Sequence, residues 1–116
     1  MDHRGHRESP EVLPGTLYMM ILRTLRRGPL HGYAIAKRIR EGSNGDLQIE
    51  DGSLYPALNR MLVKGWLTAE WSISQNNRRA RFYRLTEDGQ RELDRESTAF
   101  IRMVRAIQLV MTTSEE

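Results

Sequence analysis

Residues 51–65, DGSLYPALNRMLVKG, carry the pattern that decides the fold. Proline fits only the first turn of a helix without loss, so Pro56 predicts a helix that begins between Asp51 and Tyr55. Glycine commonly follows the last residue of a helix, so Gly65 predicts where this helix ends. The apolar residues of this helix follow helical spacing and form one stripe: Leu54, Leu58, Met61 and Leu62. The opposite stripe contains no acidic residue: Ser53, Asn59, Arg60, Val63 and Lys64.

The flanking sequence predicts the other elements. Helical periodicity precedes this segment twice, two strand-like stretches around a polar turn follow it, and a long helical stretch ends the chain. The predicted elements are helices over about 14–27, 31–41 and 51–64, strands over 66–74 and 81–86, and a final helix from 87 to about 111. Residues 47–50 alternate and fit a short strand or an extended loop.

This order predicts a mainly α (α+β) fold, a winged helix-turn-helix with a two-stranded β wing and a long C-terminal dimerisation helix. The predicted organisation has three parts. Residues 1–12 form a flexible N-terminal arm, residues 13–86 form the winged helix-turn-helix, and residues 87–116 form the dimerisation helix and a short tail. In such a fold the third helix enters the major groove of DNA.

Charge is distributed unevenly along the chain. Residues 1–86 hold fourteen Lys or Arg against eight Asp or Glu, whereas residues 87–116 hold four against seven. No acidic residue lies between Trp71 and Leu85, a stretch that contains four arginines: Arg78, Arg79, Arg81 and Arg84. A basic body and a basic hairpin favour a polyanionic partner; the alternative is an exposed basic turn without a ligand.

Length and composition exclude several classes. The chain has 116 residues and 13.5 kDa, enough for one domain. Its longest apolar run, Leu17 to Leu22, is far shorter than the ~20 residues that span a bilayer, so no membrane segment is expected. Residues 1–12 lack the apolar stretch of a secretory signal, and we expect a cytoplasmic protein. With no cysteine, disulfides and thiolate metal sites are excluded.

Nothing in the sequence predicts an enzyme, a cofactor or a metal site. His3 and His6 lie in the polar arm, where ordered metal ligation is not expected, and His31 stands alone. The chain lacks a phosphate-binding glycine loop and any grouping of a nucleophile with its base. Glu50 and Asp51 are adjacent, so in an extended segment their carboxyl groups lie on opposite sides.

Four segments together resemble the linked signatures of PadR-family transcriptional regulators: GPLHGYAI at 28–35, DGSLYPALNRM at 51–61, KGWL at 64–67 and RRARFYRLTEDG at 78–89. The resemblance covers roughly residues 13–111 and is closest to the short subfamily with a single C-terminal helix. It implies a dimeric winged helix that binds double-stranded DNA, in most members as a repressor.

Resemblance and geometry together assign roles to the candidate residues. Asn and Arg suit adenine and guanine edges, so the predicted base-reading residues are Asn59, Arg60 and Ser53. The predicted phosphate contacts are Tyr55, Lys64, Arg78, Arg79, Lys37 and Tyr33. The alternative for Tyr55 is a place at the edge of the core, and the alternative for Asn59 and Arg60 is a solvated face. Arg81 and Arg84 alternate with Phe82 on a strand, so an orientation away from DNA stays open for them. The sequence thus predicts a sequence-specific regulator that binds a pseudo-palindromic operator as a homodimer.

The final helix carries a seam with the spacing of a coiled coil. The predicted dimerisation residues are Leu93, Phe100, Val104, Ile107 and Met111, with Ser97 as the polar member of the same seam. Some relatives in the short subfamily bind planar drugs between subunits, on a tryptophan of this helix. The matching position here is Phe100, faced by Met19 across the dimer, so both are candidate effector contacts. Packing on the partner helix is the alternative role of Phe100.

A winged-helix module for protein or RNA contact is the second hypothesis. The basic hairpin argues against a purely protein partner, and RNA recognition typically uses exposed aromatic platforms. Here Trp66 and Trp71 are expected to pack on the core, which favours duplex DNA.

Overall fold

The structure is a computed structural model, and it describes residues 13–114. The arm predicted at residues 1–12 lies outside the described residues. The elements follow the predicted order, with one additional short strand. They are α1 (Pro14–Thr24), β1 (Leu30–His31), α2 (Gly32–Gly42), α3 (Asp51–Val63), β2 (Leu67–Ile73), β3 (Arg79–Leu85) and α4 (Glu87–Thr112). Within this range no helix is both long and apolar enough to cross a membrane.

Local capping explains where the first helices begin. Pro14 occupies the first turn of α1, where its missing N–H costs no hydrogen bond. His31 caps α2, because its Nδ1 accepts a hydrogen bond from the N–H of Ala34 at 3.2 Å. Residues 47–50 are a loop rather than a strand.

The helix α3 begins inside the predicted range, but Pro56 lies in its second turn and not in its first. That part of the prediction is wrong. Pro56 cannot donate a hydrogen bond to the carbonyl of Gly52, four residues earlier. Gly52 is exposed, so water can reach this carbonyl and the helix continues through the proline.

The sheet has three antiparallel strands in the order β1-β3-β2, not two as predicted. Its third member, β1, has only two residues, with Leu30 opposite Tyr83 and His31 opposite Phe82. In the hairpin, Leu67 pairs with Leu85 at the base and Ile73 with Arg79 at the tip. We refer to β2, β3 and the turn between them as the wing.

The core lies between α1, α2, α3 and the inner face of the sheet. Its largest fully buried side chains come from the three helices and from Leu25, directly after α1: Ile21, Leu22, Leu25, Ile35, Leu54, Leu58 and Met61. Trp66 packs against this core as predicted. Trp71 does not: it lies toward the tip of the wing, is 58% exposed, and has the guanidinium of Arg79 over its ring.

The start of α4 is fixed tightly to the wing base. Thr86 donates its hydroxyl hydrogen to the carbonyl of Gly65 at 2.7 Å and accepts a hydrogen bond from the N–H of Gly89 at 3.0 Å. Its own N–H donates to the carbonyl of Trp66 at 3.1 Å. A Cβ placed on Gly89 would lie 2.2 Å from that Trp66 oxygen, so only glycine fits.

Candidate nucleic-acid interface

From Ser53 to Val63 the outward face of α3 carries no acidic group, and the one acidic residue of the helix, the exposed Asp51, lies in its first turn. Leu54, Leu58 and Met61 are buried, as the predicted stripe requires. All three predicted base-reading residues are exposed: Ser53, Asn59 and Arg60. Val63, at 89% exposure, marks the side of the helix farthest from the core. Asn59 lies next to this side, whereas Arg60 lies on the flank nearer α1.

Arg60 is held by Tyr18, a residue that no pattern in the sequence connects with α3. Its Nε donates a hydrogen bond to the hydroxyl of Tyr18 on α1 at 2.6 Å. The Tyr18 ring meets Trp66 edge-on at 5.8 Å, and the Lys64 ammonium lies 5.2 Å from the Trp66 ring centroid. The two cations at the end of α3 are therefore positioned by two aromatic rings.

Tyr55 has features of both predicted roles, a phosphate contact and a side chain at the edge of the core. Its ring is 40% exposed, and its hydroxyl lies so close to Gly32 that a Cβ there would be 2.5 Å from it. Burial, then the charge of Asp51 and least Tyr83, raise the pKa of Tyr55. The hydroxyl stays protonated at neutral pH and can donate a hydrogen bond to a phosphate.

An open groove of about 630 Å³ separates α2 from the wing. Tyr33, Lys37 and Arg38 line one side, and residues 74–76 of the wing turn line the other. Phe82 also lines the groove, in edge-to-face contact with His31 at 5.3 Å. The structure thus brings two predicted phosphate contacts, Tyr33 and Lys37, next to the wing.

Arg78 and Arg79, the predicted wing contacts, are both exposed. They follow a tight turn in which Asn77 has a positive φ of 60° and the N–H of Ser74 donates to the carbonyl of Arg78 at 2.7 Å. Asn tolerates this left-handed backbone better than most residues. The turn therefore fixes where the two arginines leave the hairpin.

The second half of α4 carries an apolar stripe that nothing in residues 13–114 covers. Phe100 and Ile107 are 43% and 51% exposed, Met111 is exposed, and Val104 is half-buried. Leu93, assigned to the same seam, is instead buried in the core of its own chain at 3% exposure. It lies where α4 packs on α1, so it is not available to a partner.

No metal site is found among residues 13–114, and the pair His3 and His6 lies outside them. Met19, the candidate effector contact on α1, is half-buried against the core. Its pairing with Phe100 would require a second subunit and stays a prediction.

The fold and this surface define a winged helix with an exposed basic interface. Residues 21–95 match the model of the Transcriptional regulator PadR-like family, and the chain belongs to that family. The prediction of a PadR-type winged helix is confirmed. The family and its structural neighbours are transcriptional regulators, which also confirms that the chain is not an enzyme.

Individual relatives agree with this assignment. The Negative transcriptional regulator PadR of Bacillus subtilis is 30% identical over 73 residues, which are 63% of this chain and 40% of that protein. A PadR family regulator from Eggerthella lenta has 29% identity and a TM-score of 0.72, with coverage of 86% of this chain and 85% of that one. Another, from Clostridium difficile, has 26% identity and a TM-score of 0.72, with coverage of 82% and 97%.

Proposed function

We propose that this protein represses transcription by binding a pseudo-palindromic operator in double-stranded DNA as a homodimer. The observation that carries the proposal is the exposed face of α3 from Ser53 to Val63, which has no acidic residue, beside a wing with four arginines. An α-helix fits the major groove of B-DNA, and arginines neutralise the flanking phosphates. Because the proposed partner is chromosomal DNA, we propose that the protein acts in the cytoplasm.

The side chains divide into two roles. Asn59, Arg60 and Ser53 read base edges, because their donors and acceptors match the hydrogen-bonding groups of the major groove. The remaining candidates fix position and affinity through phosphates: Tyr55, Lys64, Arg78, Arg79, Lys37 and Tyr33. Burial of Leu54 and Met61 sets the orientation of α3, and so decides which side chains face outward.

Two observations support the finer parts of the proposal. The uncovered apolar stripe on α4 is typical of a surface that packs on a second copy of the same helix. A homodimer presents two α3 helices related by a two-fold axis, so its operator has dyad symmetry. Repression is supported by the name of the Bacillus subtilis relative, which is a negative regulator.

Selection of binding sites from a random pool of duplex DNA tests the proposal. We expect recovered sequences with dyad symmetry and half-sites about one helical turn apart, on the order of 34 Å. Asn59→Ala should relax the preference at one position in each half-site. Lys37→Ala is the control, because loss of a phosphate contact weakens binding to all sequences alike. Recovered pools without dyad symmetry would contradict the proposal.

A module that binds single-stranded RNA is the second candidate, and the exposure of Trp71 is the observation that favours it. One ring face of Trp71 is already occupied by Arg79, which leaves less of the ring for a base. Competition between duplex DNA and single-stranded RNA of equal length decides between the two. We expect duplex DNA to compete more strongly at every salt concentration.

A further inference from the structure

One face of the wing carries aromatic rings and arginines in contact with one another. The guanidinium carbon of Arg79 lies 4.7 Å from the centroid of the Trp71 ring. Arg81 lies directly opposite Trp71 in the strand register, and its guanidinium carbon is 5.8 Å from the Tyr83 ring centroid. We call Arg79, Trp71, Arg81 and Tyr83 the stacked row. They share a face because partners and alternate residues in a sheet lie on the same side.

The stacked row begins in the core and ends at the tip of the wing. Tyr83 is 3% exposed and lies close enough to Tyr55 of α3 to affect its pKa. Trp71, farther along the same face, is more than half exposed. The row therefore starts next to the first turns of α3 and runs toward the tip of the wing. It lies on the face of the sheet that packs against the helices.

Stacking leaves the donors of an arginine available. A guanidinium contacts an aromatic ring through its flat face, while its five N–H groups lie in the plane and can still donate to phosphate oxygens. An ion pair with a carboxylate would occupy those donors. The nearest acidic residue of the wing, Glu70, lies on the opposite face of the sheet, in register with Phe82.

We propose that Trp71 is a positioning residue for the DNA backbone: it holds Arg79, beside Arg81, in a preformed row whose N–H groups bind successive phosphates next to the half-site read by α3. The inference rests on the proposed binding of duplex DNA. An exposed arginine otherwise loses side-chain entropy when it is fixed on a phosphate, and a ring that already holds it reduces this loss.

A double-mutant cycle in the full chain tests the inference. Trp71→Leu keeps an apolar side chain but removes the aromatic face, and we expect it to weaken duplex binding about 2- to 5-fold for each wing in contact. Arg79→Ala should weaken binding at least as much. In the Arg79→Ala background, Trp71→Leu should have no further effect, because Trp71 acts through Arg79.

Arg84→Ala is the matched control. Arg84 is an exposed arginine of the same strand, but it lies on the opposite face, in register with Thr68. The effect of Trp71→Leu should be unchanged in the Arg84→Ala background. A readout without DNA is the NMR signal of the Arg79 Nε–H group, which the indole ring shifts in the wild type and which should move toward a free-arginine position in Trp71→Leu.

The outcomes are distinguishable. If the wild type binds duplex DNA but Trp71→Leu binds equally well, the inference is wrong and the proposed function stands. If the two substitutions are additive, Trp71 contacts the nucleic acid itself and does not act through Arg79, which also overturns the inference. If the wild type binds no duplex DNA, both the proposed function and this inference fail.

Discussion

Arg60 can hydrogen-bond to Tyr18 and still have donors available for another acceptor. Its Nε–H is donated to the Tyr18 hydroxyl, and the four N–H groups on its two terminal nitrogens remain for another acceptor. Those are the groups that bind the O6 and N7 atoms of guanine in a bidentate contact. The Tyr18 bond is therefore compatible with base reading and fixes the angle at which Arg60 leaves α3.

Substitutions of Arg60 and Tyr18 test whether the two side chains act together. Arg60→Ala should lose ~1 to 3 kcal/mol on the selected operator and much less on random duplex DNA. Tyr18→Phe keeps the ring and removes the acceptor, so it should lose a smaller part of the preference at the same base position. Fluorescence anisotropy on operators with single base changes measures both. A preference lost at a different position would show that Tyr18 does not act through Arg60.

Much of the site could be predicted at the level of single residues, but contacts between distant segments could not. The outward positions of Ser53, Asn59 and Arg60 follow from helical periodicity alone. The bond from Arg60 to Tyr18 joins residues 42 positions apart, and no local pattern indicates it. The close approach of Tyr55 to Gly32 could not be predicted either, because these residues are also far apart in the sequence.

At the scale of elements, the helices were easier to predict than the sheet. β1 has two residues, too few for an alternating pattern, and it exists only because β3 lies beside it. Trp71 was expected in the core because aromatic residues in strands usually pack inward. The strand register places it on the core-facing side, but nearer the tip than the buried Tyr83, and it is 58% exposed.

The wing gives a prediction for salt dependence. If Arg78 and Arg79 each neutralise one phosphate, changing both to Ala removes up to four contacts in a dimer. The slope of log affinity against log salt concentration should then fall by roughly 3 to 4 units, equally for operator and random DNA. Changing Arg91 and Arg95 to Ala is the charge-matched control, because both are engaged with acidic residues of α4. An unchanged slope would exclude the wing as a phosphate contact.

The start of α4 gives a prediction for stability. Gly89→Ala places a Cβ against the Trp66 backbone, which cannot move without breaking its hydrogen bond to Thr86. We expect a loss of about 3 kcal/mol in the free energy of unfolding, measured by urea denaturation. Gly15→Ala is the control, since among residues 13–114 no atom outside its own turn of α1 lies within 4 Å of a Cβ built there. That change should be neutral or stabilise by up to about 1 kcal/mol.

In the whole molecule, α4 divides into two halves that differ in what covers their apolar residues. The first half is acidic at its start, has Leu93 in the core and packs on α1. The second half exposes Phe100, Ile107 and Met111. The spacing predicts one seam from Leu93 to Met111, but it could not show which of its positions the chain itself covers.

We expect the protein to form a dimer through the exposed half of α4. Light scattering at micromolar concentration should give twice 13.5 kDa. Ile107→Ala should raise the dissociation constant of the dimer roughly tenfold for each copy and weaken operator binding in parallel. Leu109→Ala is the matched control: it removes an exposed apolar side chain two residues further on, on the opposite side of the helix. A stable monomer at these concentrations would contradict the prediction.

The bonds of Thr86 and the glycine at position 89 leave no flexible linker between the wing and α4. In a dimer joined through α4, the separation of the two α3 helices is then a fixed length of the protein. One base pair inserted between the half-sites moves them apart by about 3.4 Å and rotates one around the DNA axis. Such an operator should be bound through one half-site at a time, so regulators built on this junction would distinguish genomic sites by spacing as well as by sequence.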